Sequence, residues 1–393
     1  TPLILPLPSH PSLPPGVENL RDLGRTGIFA MVVAMKQLCP LLSSWFHSQT
    51  DPPVALIYDF FFGWIEPLAN ELSIPRIVYF SNGAFSTSVI EFCWLHEYIR
   101  EMESVEMKDL PGSPSFKFHE FTYSFRSYVK NDPESEILRD GFLSNLNAYG
   151  FIINTFDDIE GKYVSHIVQK KGHNRVYCVG PPRFMEENED SKLSWVFDWL
   201  DGCPSESVIY VCFGSQKFMT EEQMSGIARG LEVSGRRFVW VVKSSPMNGR
   251  LPDGFVERVR GRGIVVKEWA PQKRILGHPA VGGFLTHCGW NSTLEGIQCG
   301  VRFLTWPMEA EQYQNAWLLE NELRIGLRVC HGSESVPEPD LFGRLVGSWD
   351  ADTEARTRAA LLKQKAAAAM EGSATLNIDK LGNHFCHLPS LRS

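Results

Sequence analysis

A chain of 393 residues is longer than one hydrophobic core ordinarily organises, and two domains are expected. With 43% hydrophobic, 21% charged and 12% aromatic residues it carries ample apolar surface to bury, which excludes a largely disordered chain. Lys and Arg number 38 against 46 Asp and Glu, a net charge of −8 without a long basic run, so nucleic acid and anionic lipid are disfavoured as partners and a small molecule is favoured.

The first apolar run, Leu3-Ile-Leu-Pro-Leu7, reads as a strand leading into a Pro-rich loop over 8–16. Apolar residues at spacings of three and four predict a helix over 27–45, kinked or broken at Pro40. The run 53–59 ends in Asp59 and has the form of a buried parallel strand. A helix over 63–72, a strand over 76–80 and a helix over 84–102 continue the alternation, which argues a doubly wound α/β sheet. Residues 103–131, mixed, charged and aromatic, are expected to form a long excursion over a cleft. Runs at 150–154 and 175–180 close this half, and the acidic stretch Glu186-Glu-Asn-Glu-Asp190 reads as a solvated linker.

The second half restarts the alternation. Strands are predicted over 207–213, 237–242, 263–267 and 281–286, with helices over 220–233, 292–299 and 354–370. Thr220 and Gln223 form a capping box for the first of these helices. The domain expectation is therefore 1–182, a linker over 183–195, a second domain over 196–372, and a terminal segment 373–393 packing back on the first domain. Nine scattered cysteines, odd in number and without a C-x-x-C pair, read as reduced thiols of a cytoplasmic protein. The most apolar stretch, 54–69, is broken by Asp59 and Glu66, so no membrane helix is expected.

Most chemistry lies between Trp269 and Gln312. A strand that ends in a Gly-containing turn and opens a helix, as Thr286-His-Cys-Gly-Trp-Asn-Ser292 does, directs backbone N–H groups outward and makes an anion site. His287, Asn291 and Ser292 add side-chain donors that suit a pyrophosphate. Trp269 offers a flat face for a base, and Glu295 two acceptors for a ribose diol. Each residue alone has a plainer reading: Ser292-x-x-Glu295 as a capping box, His287 as a structural histidine, Trp269 as a core aromatic, and Asn291-Ser-Thr293 as a chance glycosylation sequon.

Taken together, Trp269-Ala-Pro-Gln272, His287-Cys-Gly-Trp-Asn-Ser-Thr-Leu-Glu-Gly296, Trp306-Pro-Met308 and Glu311-Gln312 resemble the signature of the plant family 1 UDP-dependent glycosyltransferases. Pro14-Pro-Gly-Val-Glu18, Tyr58-Asp-Phe-Phe-Phe-Gly-Trp64 and Tyr210-Val-Cys-Phe-Gly-Ser215 extend the similarity, which looks nearest to members acting on flavonoids and other phenolics. The resemblance implies a GT-B fold, two facing Rossmann-like domains with the N-terminal one incomplete. It also implies a monomer that takes a UDP-sugar donor and a small lipophilic phenolic acceptor, and that needs no metal or other cofactor. By the same resemblance Trp269 stacks on uracil, Ala270 and Gln272 hold the nucleoside, and Glu295 holds the ribose. Gly214, Ser215, His287, Gly289, Asn291 and Ser292 hold the phosphates, while Trp290, Glu311 and Gln312 address the sugar, with Gln312 favouring glucose over galactose. Arg302 stands where these enzymes commonly have Pro, a departure expected to shift the following strand slightly.

The family inverts the anomeric carbon by direct displacement, a histidine taking the acceptor proton and an aspartate orienting that histidine. Asp59 matches the aspartate; on its own it would read as a helix cap. The histidine belongs to a loop upstream of what matches residues 3–16, so the chain is expected to lack its base and to start near the third strand. His10 reads as a surface loop residue, and His47, His96, His119, His166 and His173 as surface or core residues. The expected acceptor pocket draws on aromatics around 60–64, 80–85 and 116–125. A non-catalytic UDP-sugar-binding remnant is the alternative function. A nicotinamide oxidoreductase is disfavoured, because no G-x-G-x-x-G follows a strand.

Overall fold

The computed structural model describes residues 2–24, 27–182, 193–215, 217–245 and 247–388. The chain forms two compact units, Thr1–Pro182 with Ala369–Ser393, and Arg183–Ala368. The acidic stretch 186–190 and most of the expected linker lie outside the described residues, and a helix, Ser194–Asp201, begins within the linker's last residues.

In the first unit, β1 (Leu56–Asp59) and β2 (Arg76–Phe80) are followed by a small antiparallel hairpin, β3 (Ser104–Glu106) with β4 (Ser115–Lys117), and then by β5 (Gly150–Ile153) and β6 (Val176–Cys178). The four strands β1, β2, β5 and β6 lie parallel in that order. Ile77, Val78, Phe151 and Ile153 are buried, as strands covered on both faces require. The helix Ser373–Cys386 packs on β6: Asn377 Nδ2 donates to the Cys178 carbonyl at 2.9 Å, and Leu381 joins Ile77, Ile152 and Tyr177 in a buried cluster.

Several expectations for this unit need correction. Residues 3–7 form no strand, because Pro6 and Pro8 have no N–H to give a ladder, and Ile4 is 88% exposed. The segment 27–45 is broken rather than kinked, the second of the two outcomes expected at Pro40: it forms Gly27–Lys36 and Cys39–His47, with Pro40 in the first turn of the second helix, where its missing N–H costs nothing. Gly27–His47 together, with Lys36 its one Lys, Arg, Asp or Glu, is long and apolar enough to cross a membrane by length and composition, so 54–69 is not the most apolar stretch. The segment 63–72 starts inside a 3₁₀ turn, Phe60–Ile65, before the helix Glu66–Glu71. The helix from Ala84 ends at Leu95 and gives way to a 3₁₀ turn, Glu97–Glu101. The excursion 103–131 carries the β3–β4 hairpin. The helices Pro133–Asn145 and Asp157–Lys171 were not anticipated.

The second unit is one six-stranded parallel sheet: β7 (Val208–Cys212), β8 (Arg237–Val241), β9 (Gly263–Val266), β10 (Val281–Thr286), β11 (Arg302–Thr305) and β12 (Gly326–Arg328), in the order β12-β11-β10-β7-β8-β9. The chain moves outward from β7 to β9, then returns to β7's other side with β10 and moves outward again. That reversal makes the carboxyl ends of β7 and β10 the switch point at which such sheets bind ligands. Ile209, Val211, Trp240, Leu285 and Trp306 are buried in the core beside it. The helix Glu221–Ser234 has its Thr220–Gln223 capping box. Arg302 does not displace β11, whose register with β10 runs unbroken from Gly283↔Arg302 to Thr286↔Thr305. Its guanidinium instead lies 4.3 Å over the Trp349 ring.

Candidate functional site

Thr286 of β10 lies opposite Cys212 of β7, so Gly214-Ser215 and His287-Cys288-Gly289 leave the sheet side by side. Gly214 has φ +73°, and a Cβ there would lie 2.7 Å from His287 Cε1; one on Gly289 would lie 2.6 Å from His287 Nε2. The imidazole is therefore slotted between two glycines, with Thr286 Oγ1 3.3 Å from its Nδ1. Burial, with the charge of Lys243 adding to it, lowers the His287 pKa to about 4. The ring is neutral near pH 7 and can donate from one nitrogen.

Cys288 adopts φ +66°, a turn unusual for a non-glycine residue, and it is pinned from two sides. Its N–H donates to Thr286 Oγ1 at 3.3 Å, and Asn315 Nδ2 donates to its carbonyl at 2.9 Å. The helix Trp290–Cys299 follows, with Gly289 at its N-cap and no side chain capping it. Ser292 is the third residue of this helix, so the capping-box reading of Ser292 and Glu295 does not hold. The first turn, which has no cap from its N-cap residue and has Asn291 exposed at its edge, presents the positive end of the helix dipole, and its first N–H, that of Trp290, goes to Glu311.

From the end of β9 comes Trp269, 62% exposed, then buried Ala270, and Gln272 opening the helix Gln272–Leu276. Gln272 Nε2 donates to Ser292 Oγ at 3.1 Å and to Glu295 Oε2 at 2.8 Å, which ties these three residues into one polar cluster. Glu311 Oε1 receives the Trp290 N–H at 3.4 Å and lies 3.5 Å from Asn315 Nδ2. Burial pushes the Glu311 carboxyl above its ordinary pKa. Gln312 Oε1 accepts the N–H groups of Met308 and Glu309, both at 3.0 Å, which fixes its amide. Trp290 is only 4% exposed, so its indole is core, and its N–H is taken by Glu311.

A flat aromatic face, an amide–carboxylate pair suited to a diol, and a neutral imidazole beside a helix start can together hold a base, a ribose and a diphosphate. Sequence reasoning missed Thr286 and Asn315, which brace the turn, and Lys243, whose charge acts on His287. Only Asn315 left a signal, one helical turn beyond Glu311.

In the first unit, Asp59 caps the 3₁₀ turn, Oδ1 accepting the Phe61 N–H at 3.0 Å. Burial pushes its carboxyl up, against the pull of that N–H. Among the described residues no histidine bonds to it. His10 lies in a loop, where its Nδ1 accepts the Ser12 N–H and its Nε2 lies 3.4 Å from Glu134. Of the aromatics expected to line an acceptor pocket, Phe60, Trp64, Phe80, Phe85, Phe116, Phe121 and Phe125 are buried in the core.

A model of the family described as UDP-glucoronosyl and UDP-glucosyl transferase matches residues 187–325. UDP-glycosyltransferase 89A2 of Arabidopsis thaliana is 42% identical over 98% of this chain and 84% of its own length. Flavonol 3-O-glucosyltransferase UGT89B1 of the same plant is 39% identical over 98% and 85%. The crystal structure of Arabidopsis thaliana UGT89C1 complexed with UDP-L-rhamnose superposes with a TM-score of 0.78 at 34% identity, covering 98% of this chain and 85% of that one. The same protein complexed with quercetin gives a TM-score of 0.76.

Proposed function

The chain belongs to the plant family 1 UDP-dependent glycosyltransferases and has their GT-B α/β fold, and from that premise we propose that it transfers glucose, with inversion, from UDP-glucose to a hydroxyl of a flavonoid or related phenol. The observation that carries this reading is the convergence at one switch point of the glycine-slotted His287, the start of the helix Trp290–Cys299 and the Gln272–Glu295 pair. Trp269 stacks on uracil, with the Ala270 backbone beside it. Gln272 and Glu295 take the ribose, and Gly214, Ser215, His287, Gly289, Asn291 and Ser292 take the two phosphates. Glu311 and Gln312 address the sugar, with Trp290 beneath them holding Glu311 through its N–H.

In the reaction, the acceptor oxygen forms its bond to the anomeric carbon as the bond from that carbon to the β-phosphate oxygen breaks. The electron pair stays on UDP, and the acceptor proton passes to a base that Asp59 orients. The positive end of the helix dipole and the neutral imidazole donor stabilise the charge that builds on the leaving diphosphate. Since Asp59 bonds no histidine among the described residues, the 393-residue chain is expected to bind UDP and turn over slowly. That same observation favours the second reading, a UDP-sugar binder without turnover. We read the protein as a cytoplasmic monomer, and its nine free thiols support the compartment.

Glucose is favoured by Gln312 and by the 39% identity to a relative named as a glucosyltransferase; the UDP-L-rhamnose complex of a relative at 34% identity supports rhamnose as the competing donor. Calorimetry with UDP, followed by a transferase assay offering UDP-glucose or UDP-rhamnose with a flavonol, tests the proposal. UDP binding with slow, glucose-preferring transfer supports it. No UDP binding by the folded chain overturns the donor site, rhamnose preference overturns the sugar, and fast turnover shows that another group serves as base.

A further inference from the structure

Three neighbouring strands end at the diphosphate site, and only two of them have been given a role there. β10 delivers His287 and β7 delivers Gly214-Ser215. On β7's other flank β8, with Trp240 opposite Val211, delivers Lys243 beside the Gly214 turn. The Lys243 ammonium is held in place: Nζ donates to the Lys217 carbonyl at 3.0 Å and lies 4.3 Å from the centre of the Phe218 ring. Both partners belong to the segment that follows Gly214-Ser215, so the side chain closes back on that segment. Its charge is felt on both sides of the turn, where it lowers the pKa of the Cys212 thiol and of the His287 imidazole against the opposing effects of burial and of Glu295 on Cys212 and together with burial on His287.

We infer that Lys243 is a positioning residue for the diphosphate, fixing the segment after the Gly214 turn through the Lys217 carbonyl and supplying a half-buried positive charge behind the phosphates. The inference rests on the donor-site reading above. When the bond between the anomeric carbon and the β-phosphate oxygen breaks, the diphosphate gains one negative charge, and a fixed cation at this edge stabilises it. The same cation disfavours protonation of His287, so the imidazole stays a neutral hydrogen-bond donor and does not become a competing cation.

Calorimetry of the full chain with UDP and with uridine tests this, since only UDP carries the charge that Lys243 addresses. Lys243→Met, which keeps the stem and loses the charge, is expected to weaken UDP about 10-fold and leave uridine unchanged, and Lys243→Arg to recover most of the loss. UDP affinity of the neutral variant falls less steeply with salt than that of the unaltered chain, and the His287 pKa, read by imidazole NMR, rises. Lys243→Gln, which can still bond the Lys217 carbonyl, is the second neutral variant if Lys243→Met does not fold. Equal weakening of UDP and uridine marks a merely structural role and overturns the inference, as does unchanged UDP affinity. Failure of the unaltered chain to bind UDP overturns the donor-site reading, and this inference with it.

Discussion

His287 shows how little freedom the site leaves a single side chain. A methyl group on either flanking glycine would enter the imidazole's own volume, and at Gly214 the backbone also sits at φ +73°. The ring is held where protonation is costly, with a pKa of about 4 against about 6.5 in an unfolded chain. Between those values the unfolded chain takes up a proton that the folded one refuses. The contribution of this group is whole above pH 6.5 and is lost as pH falls towards 4, a total of about 3 kcal/mol. Urea unfolding of the second unit at pH 7 and at pH 4.5 should show that loss, and His287→Asn should flatten it. Equal pH dependence of the two proteins would count against a neutral, slotted imidazole.

At the scale of elements, the helix Ala84–Leu95 begins at Gly83, which has no side chain to cap it. The cap comes from elsewhere: Glu160 accepts the Ala84 and Phe85 N–H groups at 2.8 Å each, and Thr155 Oγ1 bonds the same carboxylate. To reach them, Glu160 leaves helical geometry within its own helix, at φ −138°. Removing a buried acceptor orphans two donors, so Glu160→Ala should destabilise the first unit by about 2–4 kcal/mol. Thermal unfolding measures it, and a change below about 0.5 kcal/mol would show that water caps the helix as well.

This cap was invisible in the sequence because its partners are 75 and 76 residues apart. β2 and β10 were legible, since continuous apolar runs buried on both faces announce themselves. Residues 3–7 imitate that pattern, but their prolines forbid the ladder. The helices Pro133–Asn145 and Asp157–Lys171 are too polar to show a clear apolar stripe. Their end signals, Asp132 before Pro133 and Gly172 after Lys171, were nonetheless present. The residues proposed for the donor site stood out because most of them lie in one short window; Lys243 did not, because its place beside them comes from strand order.

Across the whole molecule, the last helix belongs with the first sheet. Asn377 bonds Cys178 across 199 residues of chain, and Tyr149 Oη lies 2.8 Å from His384 Nε2. A chain ending at Gly372 loses these bonds and uncovers Ile77, Ile152 and Tyr177 where Leu381 had packed. Its first unit should unfold at lower urea while the second unit's transition stays in place, as fluorescence and circular dichroism can follow. Equal shifts in both transitions would show that the helix does not stabilise the first unit in particular.

Because the second unit is one uninterrupted stretch and the first is closed by residues from both ends of the chain, the order of synthesis and the order of completion differ. The ribosome makes most of the first unit early, yet that unit waits for its final helix while the whole of the second is translated. At about 5–20 residues per second this is a delay of about 10–40 s. During that interval Ile77, Ile152 and Tyr177 are uncovered in the nascent chain, which makes the first unit, and not the second, the natural client of a chaperone.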